Sequence, residues 1–511
     1  VAHLGDMDAL FDGIDLGAIN TSLTINATAP WHYALYLALA DQRGIPRAEL
    51  RGTTQNDLLK EFVARGTYIF DPATSFRLST DLIGFAVQQT PHWNPVNCCG
   101  YHLMESGAAP EEEVGYALLG ALLLLDGVRP GLDSDGFASV VETISFFVNS
   151  GIELVPEIAK MRAYAGLWPD LCEARYGVRP RFRAGCQVRS LSLTAQQPEL
   201  NIVRIALQAL PVIASASARV GALQLPGFRE ALALPDAAEQ TLGLRTQQVL
   251  MHETGLADWP DIFEGSVVIE GETRRIEDAA RAIVHAGLQR GYERTIDALS
   301  RLLSERMAQW QRAVESGERT LVGVNSFTEA VPLTAPPATA EARPAESLRA
   351  ERSAALKAWR AARDGAAWQN ARARLIAAAQ TGESILEPSI AFARAGGTTG
   401  EWTDALLTVF GPRYAAPLGV DGGALGGARR TGPDAAPDGP PVRILLAKAG
   451  LDGHVNALRV LAVALRDAGV EVVYAGLTRS AEALARTAVS ESVDAVGISS
   501  LSGSHLAMVE D

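Results

Sequence analysis

The chain has 511 residues, 48% hydrophobic and 20% charged, with a formal net charge of −14 at pH 7. At roughly 150 residues per domain, that length holds two to four units and leaves room for a large enzyme core. The acidic balance, with no lysine- or arginine-rich block, argues against nucleic acid or an anionic membrane as the main partner, so an anionic substrate must meet locally placed arginines.

The N-terminus has no basic segment leading into an apolar one, and no run of eighteen uncharged apolar residues follows; both features predict a soluble, cytoplasmic protein with no membrane partner. Residues 1–330 alternate short β-rich runs (21–25, 143–148, 182–188) with helical stretches (110–126, 276–309), the rhythm of a (β/α)8 TIM-type barrel that serves as a substrate domain. Three polar blocks stand out within it. The run Asn26-Ala27-Thr28-Ala29-Pro30-Trp31 follows the hydroxyl-rich strand pattern of Ser22 and Thr24. Thr53-Thr54-Gln55-Asn56-Asp57 then leads to Lys60, Glu61 and Arg65, a denser set of polar groups than a solvated helix face carries. Last, Gly100-Tyr101-His102-Leu103-Met104-Glu105 places a tyrosine, a histidine and a carboxylate directly after a glycine, the composition of a catalytic loop. The four cysteines, Cys98, Cys99, Cys172 and Cys186, have neither zinc-like pairing nor the density of a disulfide scaffold, and read as reduced thiols.

Residues 331–440 shift to Ala, Pro, Arg and Gly, with a helical piece at 345–381 and a Gly-Pro stretch at 419–441, which predicts a partly ordered linker. Residues 441–511 read β (443–447), α (458–468), β (471–475), α (481–491), β (495–499), the first half of a Rossmann-like or flavodoxin-like doubly wound domain. Val1 is not a methionine and Asp511 falls before that sheet is complete, so the chain reads as part of a longer polypeptide.

The loop after the first of these strands contains Lys448 and then Leu451-Asp452-Gly453-His454. Aspartate with glycine is also an ordinary turn signal. A histidine on a strand-to-helix loop can ligate a metal through one ring nitrogen while an acid orients the other, and Asp452 stands two residues before His454. Ser499-x-Leu501 closes the third strand of the same unit, where parallel pairing would set it beside the first.

Together these blocks resemble the acyl-CoA mutases that use adenosylcobalamin, nearly end to end, and within that family the branch acting on ethylmalonyl-CoA. His3-Leu4-Gly5-Asp6-Met7, Ser192-Leu193-Thr194-Ala195-Gln196-Gln197-Pro198-Glu199 and Thr398-Thr399-Gly400-Glu401-Trp402 carry the likeness. The methylmalonyl-CoA branch has His-Thr-Asn where this chain has Gln224-Leu225-Pro226, and a histidine at Gly185. The resemblance implies a radical carbon-skeleton isomerisation of ethylmalonyl-CoA to methylsuccinyl-CoA; conversion of methylmalonyl-CoA to succinyl-CoA, or a non-catalytic cobalamin-binding homologue, are the alternatives. It also implies roles. Arg65 would hold the substrate carboxylate, His102 would donate to the thioester carbonyl, and Tyr101 would position the radical. Ser22, Thr24, Thr53, Gln55, Asn94, Ser145 and Gln187 would contact the acyl-CoA, and Glu230 the adenosyl ribose. His454 would be the lower ligand of cobalt, backed by Asp452 and Lys448, with Ser499 and Leu501 lining the slot for the nucleotide tail. A homodimer and a GTPase chaperone that loads cobalamin are implied as partners. Two positions depart from the family: Ala457 stands where it has glycine, adding a methyl beside the cofactor, and Thr143 where it has arginine, removing a cation from the CoA region.

Overall fold

The computed structural model describes residues 1–65, 67–194, 196–231, 235–329, 345–414, 442–447, 458, 461–462, 465–466, 470–474 and 481–498. In the N-terminal part, seven strand segments follow one another: β1 (Asn20–Leu23), β2 (Arg51–Thr54), β3 (Trp93–Asn94), β4 (Asn97–Cys99), β5 (Ser145–Ser150), β6 (Ala184–Val188) and β7 (Ala222–Gln224). All pair in parallel and in chain order, as β1-β2-β3 and β4-β5-β6-β7. Pro95 explains the gap between β3 and β4, because it has no N–H to give the ladder; the strand line resumes where the Asn97 N–H donates to the Gln55 carbonyl at 2.9 Å. Six strand positions of a (β/α) barrel are therefore present among the described residues.

Parallel neighbours require crossovers, and helices supply them. They are α1 (Leu4–Leu10), α2 (Ala29–Gln42), α3 (Pro72–Gln89), α4 (Tyr101–Glu105), α5 (Pro110–Val128), α6 (Ser134–Thr143), α7 (Leu154–Tyr176), α8 (Leu200–Ala214), α9 (Ala237–His252), α10 (Val267–Arg290) and α11 (Tyr292–Glu315). By length and composition α5 is apolar enough to cross a membrane. Instead it packs among α3, α7 and α10, and Leu118, Leu119, Leu122 and Leu125 are at most 1% exposed, which makes it a core helix. Two expectations shift. The helix predicted over 276–309 is two helices, because Gly291 turns the chain at φ +82°, a conformation other residues rarely adopt. The strand predicted from 143 begins at Ser145, since Thr143 closes α6.

The stretch expected as a linker holds α12 (Ala345–Ala362), α13 (Gly365–Thr381), α14 (Leu386–Arg394) and α15 (Thr399–Phe410). The Asp364 carboxylate accepts the N–H groups of Ala366 and Ala367 and starts α13, splitting the helix predicted over 345–381. Leu375, Phe392 and Trp402 join Trp31 of α2 in one fully buried cluster, and the Trp31 indole donates to Thr399 at 2.9 Å. Residues 345–410 are thus a helical layer on the N-terminal elements.

Further on, β8 (Arg443–Ala447), β9 (Glu471–Tyr474), α16 (Ala481–Ser490) and β10 (Ala495–Ile498) form a parallel sheet in the order β10-β8-β9. The first strand lies in the middle, as in doubly wound domains, whose ligands sit beyond the carboxyl ends of the strands where the order reverses. Here that point lies between β8 and β10, and Ala447 is the register partner of Ile498.

Candidate active site

Strand register sets out the interior of the barrel. Ser22, Thr53 and Asn94 are partners across β1, β2 and β3, so their side chains share one face. With its amide nitrogen on the carbonyls of Val96 and Thr143, 2.8 Å each, Asn94 accepts from the Ser145 hydroxyl; Asn97 also donates to that hydroxyl at 2.7 Å. The Thr143 hydroxyl turns back onto the carbonyls of Ser139 and Val140, so it replaces the family's arginine with nothing an anion can use.

The carboxyl ends of the strands, where barrel architectures place their sites, carry most of the polar residues singled out in the sequence. After β2, the Gln55 amide oxygen accepts from Asn26 at 2.9 Å and from Lys60 at 2.7 Å, which leaves its NH2 to offer. Thr24 lies exposed just past β1. A π-helical turn, Glu61–Arg65, then sets Arg65 outward, with no hydrogen bond or ion pair among the described residues. Buried Asp57 accepts the Cys99 N–H at 2.7 Å, anchoring the backbone that enters α4. Burial, opposed by Lys60, pushes that carboxyl up to about 6.

In α4 the Tyr101 and His102 rings meet edge to face at 5.0 Å. The Tyr101 hydroxyl accepts from Gln187 at 2.9 Å and lies 3.4 Å from the Ser190 hydroxyl. Burial, then Glu105, raises its pKa and keeps the phenol protonated. Burial, then the cations Lys60 and Arg65, pushes His102 well below its ordinary value, so it is a neutral imidazole. Its Nδ1 is enclosed and has no partner among the described residues. Glu105 accepts the N–H groups of Ser190 and Leu191 at 2.8 and 2.9 Å, tying α4 to the loop after β6. Burial, then Glu105 and Glu239, raises the carboxyl of Glu230, which lies close enough to Tyr101 to influence its hydroxyl.

The structure therefore brings Arg65, Tyr101, His102, Gln187 and Glu230 into one neighbourhood, above the row Ser22, Thr53, Asn94 and Ser145. Lys448, Asp452, Ala457, His454, Ser499 and Leu501 lie outside the described residues. The strands they follow, β8 and β10, end as register partners, which suits two loops converging on one ligand. All four cysteines are buried and free, and burial raises the thiol of each, so they stay protonated.

Sequence reasoning missed the opposite mouth of the barrel. A cavity of about 1110 Å³ opens there, with Thr53, Asn94 and Ser145 inside and Arg179, Arg181, Arg183 and Arg219 at its rim. Arg179 pairs with Asp170 and Glu173, whereas the exposed Arg181, Arg183 and Arg219 make no ion pair among the described residues. Alternate arginines ahead of a strand were the available signal.

Comparison with known proteins agrees with this arrangement. The family profile described as "Methylmalonyl-CoA mutase" matches residues 1–412, and that described as "B12 binding domain" matches residues 442–511. The chain is 44% identical to ethylmalonyl-CoA mutase of Methylorubrum extorquens over 531 residues, covering 100% of this chain and 76% of that protein. It is 42% identical to ethylmalonyl-CoA mutase of Cereibacter sphaeroides over 528 residues, covering 100% of this chain and 80% of that protein. It is 32% identical to the mitochondrial methylmalonyl-CoA mutase of Homo sapiens over 531 residues, covering 99% and 69%.

Proposed function

This chain belongs to the methylmalonyl-CoA mutase family, and on that premise we propose that it isomerises ethylmalonyl-CoA to methylsuccinyl-CoA with adenosylcobalamin. The observation that carries the reading is the match between three parts of such a substrate and three parts of the barrel. A free carboxylate suits Arg65, a planar fork with no protein partner among the described residues. A thioester carbonyl suits the neutral His102, and a phosphorylated tail suits the arginine-rimmed cavity. Thr53, Asn94 and Ser145 line that cavity, and the strands that carry Thr53 and Asn94 are followed by the segments that hold Arg65 and His102. Higher identity to the ethylmalonyl-CoA mutases than to the human methylmalonyl-CoA mutase favours the ethyl-branched substrate.

Lys448, Asp452, His454, Ser499 and Leu501 would hold the cofactor, His454 as the ligand of its cobalt, and Glu230 would meet its adenosyl ribose. When bound, adenosylcobalamin supplies the carbon radical that takes hydrogen from the substrate and gives it back. The protein's own part is positional and electrostatic. His102, held neutral by burial and by Lys60 and Arg65, donates one ring N–H to the thioester oxygen as charge moves onto it during migration. Tyr101, fixed by Gln187 and Ser190, closes the space beside that carbonyl and keeps its proton. Excluding water from this mouth once the cofactor is bound would protect the radical from solvent.

The test is turnover by the full-length polypeptide loaded with adenosylcobalamin, given ethylmalonyl-CoA or methylmalonyl-CoA, with products identified by mass spectrometry. Preferential methylsuccinyl-CoA is the expected result. Succinyl-CoA alone would move the chain to the methylmalonyl-CoA branch, and cobalamin binding without either product would make it a non-catalytic homologue.

A further inference from the structure

Beneath α4 lies a charged cluster that the chemistry above does not use. Lys160 of α7 is fully buried between Glu113 of α5 and Glu157 of α7, with its ammonium 2.6 Å from a carboxylate oxygen of each. Enclosing three charges is costly before their attraction is counted, and well-packed apolar side chains commonly serve stability as well or better. What sets this cluster apart is its connection upward. Glu113 Oε1 accepts the Asn149 N–H at 2.8 Å, and the Asn149 side chain donates to Glu105 at 3.0 Å. Glu105 in turn holds the N–H groups of Ser190 and Leu191, and Ser190 and Gln187 flank the Tyr101 hydroxyl. The cluster also reaches α4 directly. The Lys160 ammonium contacts the Met104 sulfur at 3.2 Å, and a Cβ on Gly100 would lie 2.7 Å from a Glu113 oxygen and 2.6 Å from the Tyr164 hydroxyl. The residue that opens the Tyr101-His102 helix therefore rests on Glu113.

We infer that Glu113 is a positioning residue for the rearrangement: through Asn149 and Glu105 on one side and Gly100 on the other, it sets where Tyr101 and His102 stand, with Lys160 locking its orientation. This inference rests on the proposed mutase activity and concerns residues that touch neither substrate nor cofactor. Glu113 must give one oxygen to an N–H and the other to an ammonium, and glutamine cannot do both, because its NH2 must face one of those donors. Removing the ammonium lifts the conflict, since an amide oxygen can then take the Asn149 N–H alone.

Three variants of the full-length protein test this, by kcat per bound cobalamin and by the Kd of ethylmalonyl-CoA for the cobalamin-free protein. Glu113→Gln should lower kcat about tenfold with Kd within twofold. Adding Lys160→Met together with Glu157→Gln, so that no buried carboxylate is left without its ammonium, should restore kcat to within about threefold of the unaltered enzyme. Asn149→Ala, which leaves the ionic cluster and the bond from Glu113 to the backbone intact but cuts the side-chain link to Glu105, should lower kcat about tenfold and tests that arm of the relay if Glu113→Gln does not fold. Unchanged kcat in Glu113→Gln or Asn149→Ala, a loss confined to Kd, or no recovery in the triple variant would each reduce the cluster to a structural role. A failure of the activity proposal is distinguishable, because the unaltered enzyme itself would then form no methylsuccinyl-CoA.

Discussion

The two mouths of the barrel handle charge in opposite ways. At the carboxyl ends of the strands, burial favours the neutral forms of the groups beside Arg65: it leaves His102 unprotonated and Tyr101 protonated and raises the carboxyl of Glu230. The Tyr101 hydroxyl, the Gln187 amide and Glu105 already have protein partners and are fixed before substrate arrives, while Arg65 and His102 Nδ1 have none among the described residues. At the amino ends, Arg181, Arg183 and Arg219 stay exposed and make no ion pair among the described residues. A mouth whose groups are held in place suits a developing charge, because its dipoles need no rearrangement during reaction. A wet, cationic mouth suits a ligand anchored by phosphates, where mobility costs little and attraction acts at a distance.

The largest effect should come from the mouth at the carboxyl ends. Removing a single preorganised donor to a developing oxyanion typically costs 10²–10³ in kcat, so His102→Ala should lose about that much while KM changes only a few-fold. Steady-state kinetics on both parameters checks it; a loss mainly in KM would make His102 a binding group and erase the contrast. Arg65→Met should come next. A charge-assisted hydrogen bond is worth about 1.5–3 kcal/mol, so the substrate Kd should rise roughly 10- to 100-fold. Calorimetric titration reads this directly, and Arg65→Lys should recover only part of the loss because an ammonium lacks the bidentate fork.

Much of the mouth at the carboxyl ends was legible in the residue string. Gly100-Tyr101-His102 and the run from Thr53 to Arg65 are chemically dense and local, and the turn into α4 needs a glycine because Glu113 and Tyr164 fill the space above it. What could not be read was anything assembled over long separations. The two contacts that orient Tyr101 come from Gln187 and Ser190, 86 and 89 residues away, and Lys160 meets Glu113 across 47. The arginine mouth draws Arg219 from a separate strand entrance. Ranges 276–309 and 345–381 each kept one helical period through a single break, at Gly291 and Asp364, so periodicity alone ran them together. The alanine-rich composition of 345–410 suggested a linker, but Leu375 and Trp402 had somewhere to be buried only once α2 was in place.

The wet mouth should yield the next effect in size. Exposed ion pairs contribute about 0–1 kcal/mol, so Arg181→Ala, Arg183→Ala and Arg219→Ala should each raise KM about two- to fivefold and leave kcat alone. Raising salt from 0.05 to 0.5 M should blunt the differences among the variants, since contacts in water are screened over about 10 Å at 0.1 M. A salt-independent or kcat-centred loss would show that this mouth, too, is closed around its ligand.

The smallest expected effect in turnover is an absence, and it bears most directly on what holds the two mouths apart. Burial, with Lys60 and Arg65, depresses the His102 imidazole well below 6.5, so the folded protein leaves it neutral as pH falls through that value. Turnover should therefore show no loss near pH 6.5 that His102→Gln removes. Stability should show one. Below 6.5 the unfolded chain binds a proton at this histidine and the folded chain does not, so stability falls as pH drops, by at most about 1.4 kcal/mol per pH unit from this group. Chemical denaturation between pH 5 and 7 should find a slope shallower by up to one proton in His102→Gln. Equal slopes would mean that the imidazole titrates as it does in water, and that burial at this mouth does not hold its catalytic groups neutral.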